Sequence, residues 1–563
     1  MIDGLNPALV LILGAAAVAF LDGRRRDLYM LALPVLGLAQ LLGLSFGDHA
    51  PAAIFGYPLV TLRLDPLSRV FAIIFHIAAF LGVLYALHLR DRLQHAAALV
   101  YAGAAIGAVL AGDLLTLFIY WELTAVASVF LIWARRSLRA YRAGLRYLLI
   151  QVASGVILLA GVVVHVRATG SLDFGHLGLD APGGVLIFVA FGIKCAFPLL
   201  HNWLQDAYPE ATVTGTVVLS AFTTKMAVYC LARGYAGTEA LIWIGALMTV
   251  FPIFYAVIEN DLRRVLAYSL NIQLGFMVVG VGVGTELALN GAAAHAFTHV
   301  LYKALLFMSM GAVLLRAGTV NGSELGGLYK SMPYTTAFCI VGAASISAFP
   351  LFSGFASKPL ILTAVAQEHH TLVWLVLLAA SAGVLHYCGI KVPFFAFFAR
   401  DRGIRCREAP RNMLLAMGIT AFLCIAVGIF PAPLYALLPY PLDVQPYTAA
   451  HVVGQLQLLL FSALAFAVLL RSGRYPPQRA SVNLDWDWTY RRLLPAAAGR
   501  AQAMGRQWRQ ALLAAAGQRL RRLVAALHRH PELQGVLARH WPTGSMVLWV
   551  AVLLGTCLIF YYL

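Results

Sequence analysis

Charge is what this sequence has least of. Of 563 residues, 12% are Asp, Glu, Lys or Arg and 61% are hydrophobic, where a water-soluble chain carries about 25% charged residues. A cytosolic or secreted enzyme needs more polar surface than that, so lipid is read as the main solvent. Acidic residues are the scarcer sign, 24 against 41 Lys plus Arg, for a net charge of +17. The basic residues lie in short clusters between long apolar runs, the pattern of the positive-inside rule, and no nucleic-acid partner is expected. Cysteine pairs are missing too. Cys195, Cys230, Cys339, Cys388, Cys406, Cys424 and Cys557 form no C-x-x-C motif, which argues against iron–sulfur clusters, structural zinc and a disulfide framework. No flavin or nucleotide motif is found, and no cofactor is expected. Met1 to Leu21 lacks a basic leader and a clear cleavage site, so it reads as a first spanning helix.

Apolar runs are what is abundant. A spanning helix needs about 20 mostly apolar residues, and about sixteen such runs can be traced: 4–21, 28–46, 66–87, 95–111, 114–134, 147–165, 183–204, 212–233, 240–258, 265–284, 288–315, a broken one at 333–366, 371–398, 412–430, 452–470 and 545–563. Alternate loops carry the arginines, at Arg24 to Arg26, Arg90 and Arg92, Arg135 to Arg146, Arg263 and Arg264, Arg316 and Lys330, and Arg400 to Arg411. The loops at 47–65, 112–113, 285–287 and 431–451 are poor in Lys and Arg. This alternation places the N-terminus outside and the basic loops in the cytoplasm. The stretch 471–544 breaks the apolar rhythm. Around 500–530 it reads either as a basic amphipathic helix on the membrane surface or as a solvated basic linker. Ala196-Phe197-Pro198-Leu199-Leu200 is echoed by Ala348-Phe349-Pro350-Leu351-Phe352. Paired interruptions of this kind are expected of inverted-repeat transporters.

Charges inside the runs are costly, about 2.5–3.5 kcal/mol each on insertion scales, and are functional candidates by default. Glu122 sits near the middle of 114–134, with each membrane surface about 15 Å away. Lys194 sits mid-run, four residues before Pro198, which cannot donate to the carbonyl at 194. The helix is therefore weakened at the lysine, which invites water. A buried lysine responds strongly to a nearby carboxylate, so Lys194 beside Glu122 can take and release protons; static helix-to-helix glue is the alternative. Lys225 is the next station, with hydrogen bonding to helix carbonyls as its alternative. His295, His299 and Lys303 are spaced by four and share one helix face, and histidine titrates nearest neutral pH. That spacing also suits a metal pair, but no third ligand is near and no metal is expected. Lys358 precedes Pro359, read as the first position of a restarted helix. Lys391 reads as a lysine snorkelling to the cytoplasmic surface.

At these residues the sequence resembles the antiporter-like family shared by Mrp-type multi-subunit cation/proton antiporters and the proton-pumping arm of complex I. The segment Lys194-Cys195-Ala196-Phe197-Pro198 through Glu210-Ala211-Thr212 looks like the family's most characteristic stretch. Val213 to Lys225, with Gly389-Ile390-Lys391-Val392-Pro393, looks most like the D-type subunit of Mrp antiporters. The resemblance implies an all-α polytopic fold of about fourteen core helices with two inverted five-helix repeats, each containing a broken helix. The expected boundaries are 1–95 for the N-terminal helices, 96–233 and 240–400 for the repeats, and 401–470 for the C-terminal core helices. A basic segment at 471–544 and a final helix at 545–563 extend past the core. The resemblance further implies that Glu122 and Lys194 form the family's ion pair, that Lys225 is the relay lysine, that His299 and Lys303 form the central connection, and that Lys358 is the terminal lysine. The long lateral helix of the large complex I subunit is not expected. The implied function is proton translocation in a bacterial inner-membrane Na+/H+ antiporter complex, with other integral membrane subunits and lipid as partners. The alternatives are a proton-pumping subunit of a complex I-type oxidoreductase or membrane-bound hydrogenase, in which the redox reaction belongs to another chain, and the membrane subunit of an inorganic-carbon uptake complex.

Overall fold

The computed structural model describes residues 6–54, 56–479, 483–529 and 541–563. Each of the sixteen apolar runs carries helix. Among the described residues, twelve helices are long and apolar enough to cross a membrane, and Pro7–Phe20, Gly184–Lys194 and Pro333–Ile346 are shorter apolar helices. The chain divides into one compact unit ending at Asn483 and a second beginning at Leu484.

The first unit opens with α1 (Pro7–Ala17) and α2 (Gly23–Gly43). A hairpin of β1 (Gly47–Ile54) and β2 (Tyr57–Leu64) follows, in place of the plain loop expected there. Its antiparallel register pairs Gly47 with Leu64 and Ile54 with Tyr57. Leu59, Leu62 and Leu64 are buried, and Arg63 holds both Asp48 (2.7 Å) and Asp173 (2.8 Å). That guanidinium keeps the Asp48 carboxyl below the usual carboxylate range. Then come α3 (Pro66–Ala86), α4 (Arg92–Leu110), α5 (Leu114–Trp133), α6 (Leu138–Thr169), α7 (Gly184–Lys194), α8 (Asn202–Ala207), α9 (Val213–Ala221) and α10 (Thr223–Gly234).

A second series repeats the pattern: α11 (Glu239–Ile258), α12 (Leu262–Val283), α13 (Glu286–Ala317), α14 (Pro333–Ile346), α15 (Ser353–Gln367) and α16 (Thr371–Val384), the last continuing through π-helical turns to Phe398. The likeness is specific. The N-caps of α5 and α12 are Asp113 and Asp261, those of α6 and α13 are Ser137 and Thr285, and the left-handed C-caps are Gly170 and Gly318. Each pair is 148 residues apart (113 to 261, 137 to 285, 170 to 318). Leu114 N donates to Leu172 O at 2.8 Å, and Leu262 N donates to Val320 O at 3.0 Å, the same contact shifted by 148. The first series, α4 to α10, crosses the membrane five times, counting α7/α8 and α9/α10 as one crossing each. Five is odd, so the second series starts from the opposite side and is inverted.

Helix contact in lipid depends on close packing through small residues, not on expelling water. α11 and α12 meet this way: a Cβ on Gly245 would lie 2.7 Å from Gly275 O, and one on Gly275 would lie 2.6 Å from Gly245 O. α17 (Arg411–Ile429) and α18 (Ala449–Arg471) complete the first unit.

The second unit holds α19 (Leu494–Arg529) and α20 (Thr543–Tyr562). Of the two readings of the stretch around 500–530, helix and linker, α19 is the helix. Its 36 residues reach about 54 Å at 1.5 Å per residue. It contains no Asp or Glu, and its side chains are almost all exposed. Gly499, Gly505 and Gly517 lie inside it with open space around them, and these weak helix formers are what left the linker reading open in the sequence. Residues 480–482 and 530–540 of the expected 471–544 segment lie outside the described residues.

Candidate functional site

Two broken helices organise the site. α7 ends at Lys194 itself. Beyond it Ala196 and Leu199 take left-handed conformations (φ 61° and 69°), and at the second break Ala348 and Leu351 do the same (φ 56° and 74°). Phe197 N donates to Gly192 O at 3.0 Å, and Phe349 N donates to Ala344 O at 3.0 Å. The two proline motifs therefore build the same turn. Pro198 and Pro350 have no N–H to continue the helix, and the left-handed residues turn the chain.

Lys194 is fully buried at the last turn of α7, where free carbonyls favour a cation. Its Nζ donates to Trp121 O at 2.5 Å and Thr124 Oγ1 at 2.8 Å and lies 4.3 Å from the Trp121 ring centroid. These partners flank Glu122 on α5. Glu122 is half-buried, and its Oε1 is buried with no hydrogen-bond partner among the described residues. Among the described residues it makes no ion pair with Lys194, so the two groups sit side by side without the direct contact expected of them. The ammonium is already occupied by the backbone and hydroxyl of α5.

Lys225 is fully buried in the first turn of α10. It follows a kink at Phe222 (φ −103°, ψ −71°) that no proline or glycine announces. Its Nζ donates across that kink to Ser220 O at 2.6 Å.

On α13, His295, His299 and Lys303 are all fully buried. His295 Nδ1 lies 3.1 Å from Ser357 Oγ on α15, and Nε2 lies 3.0 Å from Gln273 Oε1 on α12. Ser357 Oγ also meets Thr298 Oγ1 at 2.8 Å. The His295 and His299 rings are 6.2 Å apart, and the Tyr302 ring lies 5.3 Å from that of His299. Both ring nitrogens of His299 and Nζ of Lys303 are buried, with no hydrogen-bond partner among the described residues.

Lys358 follows Ser357 but does not stand at the junction expected of it. α15 restarts at Ser353, and Pro359 lies inside the helix. One turn beyond the break, Lys358 reaches back, and its Nζ donates to Ile346 O at 3.1 Å, the last residue of α14. It also borders a cavity of about 560 Å³ lined by Thr363, Gln367, Trp374, His451 and Gln455.

Lys391 does not snorkel. It is fully buried, and its Nζ donates to Ala256 O (3.1 Å), Val257 O (2.7 Å) and Glu259 O (2.6 Å) at the end of α11. The helix carrying it ends at Phe398, as the run did, but the ammonium is taken up by the α11 carbonyls instead of reaching the surface. Gln273, Ser357 and Tyr302, which tie the histidines to α12 and α15, escaped the sequence reading. Their one signal was an amide and two hydroxyls at buried positions of apolar helices.

The family model described as NADH:quinone oxidoreductase/Mrp antiporter, TM, matches residues 111–384, the stretch that carries the whole series from Glu122 to Lys358. NADH-quinone oxidoreductase subunit N of Desulforudis audaxviator is 32% identical over 365 residues, covering 59% of this chain and 72% of the relative. The chain belongs to the NADH:quinone oxidoreductase/Mrp antiporter transmembrane family. Hydrogenase-4 component B of Escherichia coli K12 is 27% identical over 485 residues, covering 75% of this chain and 72% of that one. The solved Mrp complex from Dietzia sp. DQ12-45-1b contains a chain of the same fold, with a TM-score of 0.78 at 24% identity over 98% of this chain. This chain spans 66% of that one. The protein is therefore a multi-pass membrane subunit of this family, similar to components of multi-subunit complexes.

Proposed function

We propose that the chain is the proton-translocating subunit of a multi-subunit cation/proton antiporter of the Mrp type, filling the place of the D-type subunit, in a bacterial inner membrane with its N-terminus outside. Sodium is the proposed counter-cation. Protons pass along Glu122, Lys194, Lys225, His295, His299, Lys303 and Lys358. The proposed repeats, 96–233 and 240–400, each contribute one broken helix to this path.

The observation that carries the reading is that, among the described residues, four buried titratable atoms along this path have no hydrogen-bond partner: Glu122 Oε1, both nitrogens of His299, and Lys303 Nζ. Buried polar groups in a structural role are hydrogen-bonded, and helix-to-helix glue would leave none of these free. Groups of this kind are satisfied by internal water. Water between His299, Lys303 and their satisfied neighbours is the medium through which a proton moves laterally.

The test is proton transport in inverted vesicles containing the whole complex, with wild type compared with Glu122→Ala and Lys194→Ala at matched assembly. Loss of about 10²-fold, the scale of a missing proton-transfer group, is expected in both. Wild-type transport in both variants would return the two residues to the role of structural glue.

A second reading is favoured by the likeness to the hydrogenase component: a proton-pumping subunit driven by a redox reaction on another chain. The purified complex separates the two. Proton movement driven by a sodium gradient alone supports the antiporter; movement only with an electron donor and acceptor supports the redox complex.

A further inference from the structure

We infer that Gly155 on α6 is a positioning residue for the Glu122 carboxylate: its missing side chain is the seat in which that carboxylate rests apart from Lys194. The inference rests on the proposed proton relay and adds to it a residue on a different helix.

A Cβ built on Gly155 would lie 1.5 Å from Glu122 Oε1, 2.4 Å from Cδ and 3.1 Å from Cγ. No side chain other than hydrogen fits at 155 while Glu122 holds this position. The other notches on α6 differ in what fills them. At Gly144 the occupant is the Trp133 indole, and at Gly161 it is Ile187 with the Gly183 carbonyl. Those are packing contacts of the ordinary small-residue kind. At Gly155 the occupant is a carboxylate whose Oε1 is buried and unpartnered.

The internal repeat supplies an independent argument. With the 148-residue offset, Tyr147 corresponds to His295, Gln151 to His299, and Gly155 to Lys303 (155 + 148 = 303), while Glu122 corresponds to Leu270 (122 + 148 = 270). In the second series this slot holds a lysine from the α6-equivalent helix, opposite an apolar residue. In the first series it is emptied by a glycine and filled by a carboxylate from the neighbouring helix. The slot thus carries an ionisable group in both copies, of opposite sign and from opposite walls. A glycine in a helix interior costs about 0.5–1 kcal/mol relative to alanine, so its presence here needs a spatial reason, and the carboxylate supplies one. Neighbouring side chains fix the slot: Trp121 Nε1 donates to Ser154 Oγ at 3.1 Å, and Ser154 Oγ donates to Ala190 O at 2.8 Å. With α5, α6 and α7 pinned there, Glu122 is the member left to move.

The test is a double-mutant cycle on the complete complex in inverted vesicles, with assembly and the pH profile of proton transport as readouts. Gly155→Ala, Glu122→Asp, Glu122→Gln and the Gly155→Ala/Glu122→Asp pair are compared. Aspartate is one methylene shorter and withdraws the carboxylate from the added Cβ. Gly155→Ala is expected to lower transport about tenfold and shift its pH profile in the Glu122 protein, and to cost less than about threefold in the Glu122→Asp background, a coupling that independent sites do not show. Wild-type transport by Gly155→Ala, or an equal loss in both backgrounds, overturns the inference. If Gly155→Ala fails to assemble, it is combined with Glu122→Ala: restored assembly supports the seat, and continued failure overturns it. Glu122→Gln separates the two levels. A fully active Glu122→Gln ends the relay reading itself; an inactive one beside an active Gly155→Ala ends only the role of Gly155.

Discussion

At the scale of single residues, the membrane makes charged side chains conspicuous and neutral polar ones invisible. Glu122, Lys194, Lys225, His295, His299, Lys303 and Lys358 could be picked from sequence because a titratable group in an apolar run is expensive. Gln273, Ser357 and Tyr302 could not, because hydroxyls and amides are ordinary in packed membrane helices. Yet Ser357 joins α13 to α15 through His295 and Thr298. Ser357→Ala is therefore expected to lower proton transport severalfold with the complex assembled, read in the same vesicle assay; unchanged transport would remove Ser357 from the path. Lys391 defeats a reading that judges distance to the surface along the sequence. Its three bonds close the end of α11. Removing one partner of a buried charged hydrogen-bond set costs about 2–4 kcal/mol. Lys391→Met should lower the unfolding midpoint of the detergent-purified protein by several degrees, and an unchanged midpoint would refute that account.

At the scale of elements, the breaks are legible where proline marks them and hidden where it does not. Pro198 and Pro350 announce the turns after α7 and α14, and the paired left-handed residues are what those turns require. The kink at Phe222 has no such signal, and α15 restarts at Ser353, where Gly354 approaches the Ser345 carbonyl, with Pro359 left inside the helix. A left-handed alanine costs about 1–2 kcal/mol, and a β-branched residue there costs more. Thermal stability should therefore rank Ala348→Gly at or above wild type and Ala348→Val about 2 kcal/mol or more below it, with the same order at Ala196. A reversed order would mean that the turns are not held left-handed in the membrane. Outside the membrane, the loop after Phe398 is tethered at Asp401, whose carboxyl is kept well below the usual range by Arg405 first and Lys330 second. A carboxyl with a lowered folded value contributes stability above its unfolded value, about 3.9, and loses it as pH falls through the folded one. The tether should persist through neutral and mildly acidic pH, so protease cleavage of this loop should match between about pH 8 and about pH 5.

At the scale of the whole molecule, the number and sense of the crossings matter more than any one contact. The apolar runs disclose the helix count because lipid demands length; they do not disclose the hairpin at 47–64, and the basic stretch around 500–530 allowed a linker as well as the helix that α19 forms. Orientation rests on the arginine clusters alone, and one natural side chain can test it. Of the seven cysteines, Cys195, Cys230, Cys339, Cys388 and Cys424 are buried, and Cys557 lies within the apolar α20. Cys406, in the loop between Phe398 and Arg411, is partly accessible. Burial pushes its thiol up, so a membrane-impermeant maleimide should be applied at about pH 8 or above, where more of the thiolate is present. If the basic loops are cytoplasmic, the reagent labels Cys406 in inverted vesicles and not in intact cells, and Cys406→Ser abolishes the signal. Labelling from the cell exterior would turn the molecule over. Glu122, Lys194 and Lys358 would keep their order along the proposed path, but the two ends of that path would exchange sides of the membrane.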